Sequence, residues 1–160
     1  LPQLVILLVV CIAVGWVPTL LGVVAILVGV LLVIAFSLGL GLFFSGINVR
    51  YRDAQNFVDV IKMVALWASP VLYTWNLVQD RAPQWLLPIY MSNPVTVAVE
   101  LFHYGFWQPP ARLQPGSAEL SSLPPNFVLY AAVAGAITIP TLVVGQIVFR
   151  RFERSFAQDL

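Results

Sequence analysis

The sequence predicts an all-α membrane protein, a polytopic helical bundle with one short re-entrant helix on its outer side between the last two spans. Three observations carry this. Of 160 residues, 60% are hydrophobic and 9% charged, against roughly a quarter charged in soluble domains. Mean hydropathy is +0.91, too high for a domain of this size to cover itself with polar groups. The apolar residues also fall in runs of membrane-crossing length, parted by short charged or proline-rich stretches. Eight Lys and Arg against seven Asp and Glu leave a net charge of +1. That balance excludes a basic nucleic-acid binder and an acidic disordered tail.

The first two spans come from one run. No charged residue occurs from Leu4 to Ile47. As one helix this run would be about 66 Å long, twice the roughly 30 Å hydrocarbon core, so it must fold back. Val17-Pro18-Thr19 is the expected turn, because a residue before proline disfavours helix. The spans are then about 3–17 and 20–47. The first is short for a crossing. The chain opens Leu1-Pro2-Gln3 without an initiator Met or a basic n-region, which is not the pattern of a secretory signal. It reads as a fragment beginning at the edge of a span.

The third span is expected over about 57–77. Asp59 and Lys62 share a helix face near its start, with Lys62 snorkelling to the headgroups, and Pro70 should kink it. Next, Pro94 to Trp107 is an apolar helical run too short to span, which suits a re-entrant or interfacial segment. Asn93 suits its N-cap and Pro94 its first position. Thr96, Glu100, His103 and Trp107 fall on one face; Val95, Val99, Phe102 and Phe106 fall on another. Residues 108–126 hold five prolines and read as a hydrated extracytoplasmic loop. The last span is expected over about 127–149, with Pro140 near its middle and Thr138 and Thr141 placed to satisfy freed backbone groups.

Orientation follows from Lys and Arg near the span ends. Arg50, Arg52, Lys62, Arg150, Arg151 and Arg154 lie on one side; Arg81 and Arg112 lie on the other. The loop at 48–56 and the C-terminus are therefore expected in the cytoplasm, and the protein in the cytoplasmic (inner) membrane as a multi-pass chain. Two strips of small residues, Ser37–Gly41–Ser45 and Ala131–Gly135, would let helices approach closely, within one subunit or across a dimer seam.

Catalytic signals are missing. There is no phosphate-loop motif for ATP, no nucleophile elbow and no zincin helix. The lone Cys11 supports neither a disulfide nor a thiolate metal site and reads as a buried, inert thiol. Glu100-x-x-His103 has the spacing used twice in di-iron bundles; here it occurs once, beside the single histidine, so no metal site is expected. No ionisable residue sits deep in the first, second or last span, which argues against an ion-coupled transporter or a voltage sensor. A membrane enzyme acting on lipid-linked sugars or phosphates would need clustered carboxylates or His/Arg at one membrane face. Only Arg52, Asp53 and Asp59 come near that. A scaffold without transport fits poorly with proline-broken spans. Aromatics crowd residues 73–107. They read either as an interfacial belt or as a stacking surface for sugar rings, with Trp67, Tyr73, Trp75 and Trp107 as candidates.

The order Asn48-Val-Arg-Tyr-Arg-Asp53, Ser69-Pro-Val-Leu-Tyr73 and Asn93-Pro94 leading to Glu100 resembles the membrane subunit of type-two ABC exporters. In particular, it resembles the permeases that export O-antigen, teichoic acid or galactan. The resemblance covers most of the chain, from the second span onward. It implies the C-terminal four of six spans of one transmembrane domain, working as a homodimer with two separate cytoplasmic ATP-binding subunits. ATP and Mg would belong to those partners, with no cofactor in this chain and no catalytic residue. The substrate it implies is a lipid-linked polysaccharide moved outward through the membrane lipids; an exporter of drugs or small lipids on the same scaffold is the alternative. Arg50, Tyr51, Arg52 and Asp53, a compact charged loop between two apolar spans, would couple the chain to the ATPase. The segment after Asn93-Pro94 would form the outer gate, with Asn93, Pro94, Thr96, Glu100 and His103 as its residues. The family usually has Arg three residues after the Glu; here that position is His103.

Overall fold

The computed structural model describes residues 2–50, 54–71, 73, 75–111 and 123–156. Among them are seven helices and no strand: α1 Pro2–Ala13, α2 Leu20–Arg50, α3 Ala54–Trp67, α4 Trp75–Arg81, α5 Leu86–Met91, α6 Pro94–Ala111 and α7 Phe127–Phe156. Among the described residues, two stretches are long and apolar enough to cross a membrane, Leu20–Asn48 and Phe127–Phe152.

The first turn comes earlier than Val17-Pro18. Helix α1 stops at Ala13, and Gly15 takes a φ of +90°. Gly15 N–H donates to Ile12 O at 3.0 Å and Trp16 N–H to Cys11 O at 2.9 Å. This is a Schellman cap, with glycine supplying the left-handed residue at no steric cost. Thr19 then caps α2, its Oγ1 accepting from Gly22 N–H at 3.1 Å, as a hydroxyl at an N-cap should.

The stretch 57–77 is not one kinked helix. Helix α3 ends at Trp67, and Ser69 and Pro70 are fully buried in the turn that follows. Pro70 has no N–H to continue the ladder and disfavours helix at Ser69. Side chains take over the loose carbonyls: Ser69 Oγ donates to Ala65 O at 2.8 Å, and Tyr73 Oη donates to Trp67 O at 2.7 Å. Tyr90 Oη donates in turn to Tyr73 Oη at 3.2 Å, tying α5 to the end of α3. The Ser69–Tyr73 motif is thus a helix stop with its own caps. Asp59 and Lys62 pair at 3.1 Å on the exposed face of α3.

Glycines set the packing of the long helices. A Cβ on Gly22 would meet Gly105 O at 3.2 Å, and one on Gly29 would meet Ala98 O at 3.3 Å, so α6 runs antiparallel along the first half of α2. Gly39 lies against Leu142 and Gly145, and Gly46 against Phe149, so α7 runs parallel to α2. The expected strip of Ser37, Gly41 and Ser45 faces outward instead, with nothing near Gly41. The core lies where α2, α6 and α7 meet: Ala25, Val97, Leu101 and Ala134, flanked by Tyr130. The far sides of the long helices stay apolar and exposed, as at Leu20 and Val128, which suits lipid as solvent.

Helix α7 starts at Phe127 as expected, after Asn126 at φ 61°. Around Pro140, Thr138 Oγ1 donates to Ala134 O and Thr141 Oγ1 to Ile137 O, both at 2.8 Å. These carbonyls neighbour that of Ala136, whose helical donor the proline removes. Helix α6 extends past Trp107 to Ala111, against the tendency of Pro109 and Pro110 to end it. Residues 112–122 of the expected loop lie outside the described residues.

Candidate functional site

The site expected at the start of α6 is built by its cap. Asn93 Oδ1 accepts from Val95 N–H at 3.1 Å, and Val97 N–H donates to Asn93 O at 3.0 Å. Pro94 sits at the first helical position, where its missing N–H costs nothing. The antiparallel register along α2 fixes the depth: since Gly22 faces Gly105 and Gly29 faces Ala98, Pro94 begins beside the middle of α2.

The face expected to meet a hydrated path divides in two. Its first half turns inward: Thr96 is wholly buried and Glu100 is 3% exposed. Neither Thr96 Oγ1 nor Glu100 Oε1 has a hydrogen-bond partner among the protein atoms. Such groups are costly to leave unpaired away from water. His103 Nδ1 stands 3.6 Å from Glu100 Oε1, close enough for an ion pair but too long for a hydrogen bond. The second half turns outward. The His103 ring stacks on Trp107 with centroids 4.4 Å apart and planes 9° off parallel, and Trp107 is half-exposed.

The aromatic candidates are scattered. Trp67 is exposed, Tyr73 half-buried and occupied by its bond to Trp67 O, and Trp75 buried. Trp107 stands beside the polar residue His103 of α6. Burial, helped by the Tyr73 hydroxyl, raises the Tyr90 phenol far above its ordinary pKa, which keeps it a donor. Of the coupling residues, Tyr51, Arg52 and Asp53 lie outside the described residues, as does the side chain of Arg50. No cluster of three metal-ligating side chains occurs among the described residues.

Sequence reasoning missed the partnership of α1 with α6. Cys11 is not buried but half-exposed. It lines an apolar cleft of about 670 Å³ between the two helices, closed at one end where Trp16 meets Phe106 at 5.5 Å between centroids. The signal was present in Leu7, Val10, Cys11 and Val14, which recur at helical spacing. Both walls are apolar, however, and a sequence does not reveal which apolar faces confront each other.

Comparisons with curated proteins and with solved structures return no match. The family model described as ABC-2 type transporter matches residues 1–107, two-thirds of the chain, from α1 through the buried start and polar face of α6. That match joins the two stretches, in α2 and α7, long and apolar enough to cross a membrane: the chain belongs to the ABC-2 type transporter family, to its transmembrane, transporting subunit.

Proposed function

We propose that the chain exports a lipid-linked polysaccharide from the cytoplasm across the inner membrane, with ATP hydrolysed by a separate cytoplasmic subunit and a second copy of the chain completing the pathway. Helix α6 is its outer gate. The observation that carries the gate assignment is Glu100: a carboxylate with an oxygen that accepts no hydrogen bond from the protein, held inside the bundle on a helix that begins at mid-height of α2. A protein built only for stability would place an apolar residue there. An oxygen that accepts no hydrogen bond suggests a second arrangement of α6, in which Glu100 gains water or hydroxyl donors or closes the 3.6 Å gap to His103. Support for a sugar-bearing substrate comes from the resemblance in the motifs at 48–53, 69–73 and 93–100, and from the stacked His103–Trp107 pair on the exposed part of the same helix.

The test uses the complete permease assembled with its ATP-binding subunit in vesicles. Glu100→Ala and Trp107→Ala variants that assemble and hydrolyse ATP normally are expected to lose export of lipid-linked glycan, or to leak ions. Wild-type export and leak in both variants would overturn the gate. In cells, depleting the permease should leave lipid-linked glycan on the cytoplasmic side; altered drug resistance with normal glycan would point instead to the drug or small-lipid exporter.

A further inference from the structure

Glu100, His103 and Trp107 follow one another along α6, from buried to exposed. The side chain of Glu100 is 4% exposed, that of His103 18%, and Trp107 is half-exposed, so water meets the imidazole before the carboxylate. Gly105 faces Gly22, which puts His103 about 6 Å in from Leu20, the first residue of α2, at the helical rise per residue. Both of its contacts favour a positive charge. Nδ1 stands 3.6 Å from the Glu100 oxygen that accepts no hydrogen bond. On the other side the ring lies flat on Trp107, centroids 4.4 Å apart, where a cation is attracted to the indole face. A neutral imidazole brings Glu100 no charge and, in one tautomer, no proton from that nitrogen. An imidazolium brings both, and charge-assisted hydrogen bonds are the shorter and stronger ones. Neighbouring elements supply no competing charge. Leu20 to Val49 of α2 and Phe127 to Phe149 of α7 contain no Asp, Glu, Lys, Arg or His. Cys11 of α1 shares a cleft with His103, and Tyr104 follows it on α6. Tyr90 of α5 feels the Glu100 charge, but burial keeps it a neutral phenol. Asp59 and Lys62 of α3 and Asp80 and Arg81 of α4 are exposed.

We propose that His103 is a proton-operated switch on the outer gate, charged when the gate is held shut and neutral when it is released. This rests on the reading of α6 as that gate and adds its control: acid on the outer side closes it. All three residues lie on α6, so their contacts do not tie one helix to another. The switch acts through solvation instead. A carboxylate buried alone is costly, and one with an imidazolium beside it is far less so, because the pair has no net charge. In the hydrated arrangement water serves Glu100 whatever the state of His103, and an ion pair there is worth little. Protonation therefore favours the buried arrangement over the hydrated one. Loss of the proton reverses the preference, and the Glu100 oxygen then gains donors only by moving to water or hydroxyls.

The test uses the complete permease with its ATP-binding subunit in vesicles. The ATP side is buffered at one fixed pH, so the ATPase meets constant conditions, and the opposite side is set from about pH 5.5 to about pH 8, across the ordinary range of histidine. Export by the wild type is expected to fall about tenfold toward acid, the worth of a hydrogen bond to a charged group. His103→Gln keeps a donor and never a charge, so its export should not respond to that pH. His103→Arg is charged throughout, so its export should be equally unresponsive and slow at both ends. An acid response that survives in His103→Gln would assign the titration to another group, Glu100 first, and overturn the switch. A wild type that exports equally at both ends would overturn it too. One readout is independent of transport: an imidazolium quenches the emission of an indole it stacks on, so acid should dim the tryptophan fluorescence of the wild type and not that of His103→Gln. Equal dimming in both would count against the switch. The gate itself fails on different evidence, wild-type export and leak in Glu100→Ala and Trp107→Ala. Impaired export in those variants with no acid response in the wild type would sink the switch and leave the gate standing.

Discussion

Gly39 of α2 and Gly145 of α7 meet backbone to backbone: a Cβ on Gly145 would overlap the Gly39 carbonyl oxygen, and a Cβ on Gly39 would lie 2.8 Å from Leu142 Cα. Neither helix has a side chain there that can move aside. Alanine at either position therefore requires the helices to separate, at about 1–3 kcal/mol or more. Gly41, two residues on, has open space around it, so Gly41→Ala should be neutral or gain up to about 1 kcal/mol from helix propensity. Thermal unfolding in detergent checks the contrast; equal effects at Gly41 and Gly145 would contradict this helix pairing.

Glu100 gives the opposite sign. Because its buried oxygen accepts no hydrogen bond and has His103 only at 3.6 Å, replacing it with Leu should leave stability unchanged or raise it by about 1–3 kcal/mol, while export falls. A protein that is both less stable and inactive would show that Glu100 is a structural residue whose partners form only in the assembled complex.

Tyr73 closes the end of α3. Tyr73→Phe removes the donor to Trp67 O and the acceptor for Tyr90, and should cost about 0.5–1.5 kcal/mol. Tyr90→Phe should add little once Tyr73 is gone, since both act through one chain of hydroxyls. A double-mutant cycle measured by chemical unfolding checks this; fully additive losses would contradict the link.

Topology follows from charge. Single cysteines at Gln55 and Gln114 should differ in intact cells, Gln114 reacting with an impermeant thiol reagent and Gln55 remaining protected until the membrane is opened, because an excess of Lys and Arg is expected to keep 48–56 and 150–160 in the cytoplasm. The reverse labelling would invert every assignment of inner and outer side made here.

The sequence by itself determined the solvent and the two long helices: an unbroken apolar run needs no tertiary information to exclude water. It also determined local caps, because Asn93 before Pro94 and the start of α7 at Phe127 depend only on neighbouring backbone. Gly15 was legible in the same way, as a glycine after an apolar run, and was passed over for the proline that follows. The split at Ser69–Pro70 was half legible. Proline announced a disturbance, but only the tertiary structure supplied the Tyr73 and Tyr90 hydroxyls that let the helix stop there. Which glycines pack, which face of α6 is buried, and that α1 and α6 enclose a cleft were decided by tertiary structure alone. In a soluble protein the polar side of a helix marks its exposed face. In a membrane, lipid and protein neighbours are equally apolar, so hydropathy is silent about which face meets which. Shape then decides: Gly39 against Gly145 admits a backbone, and the gap between Val10 and Phe102 does not close.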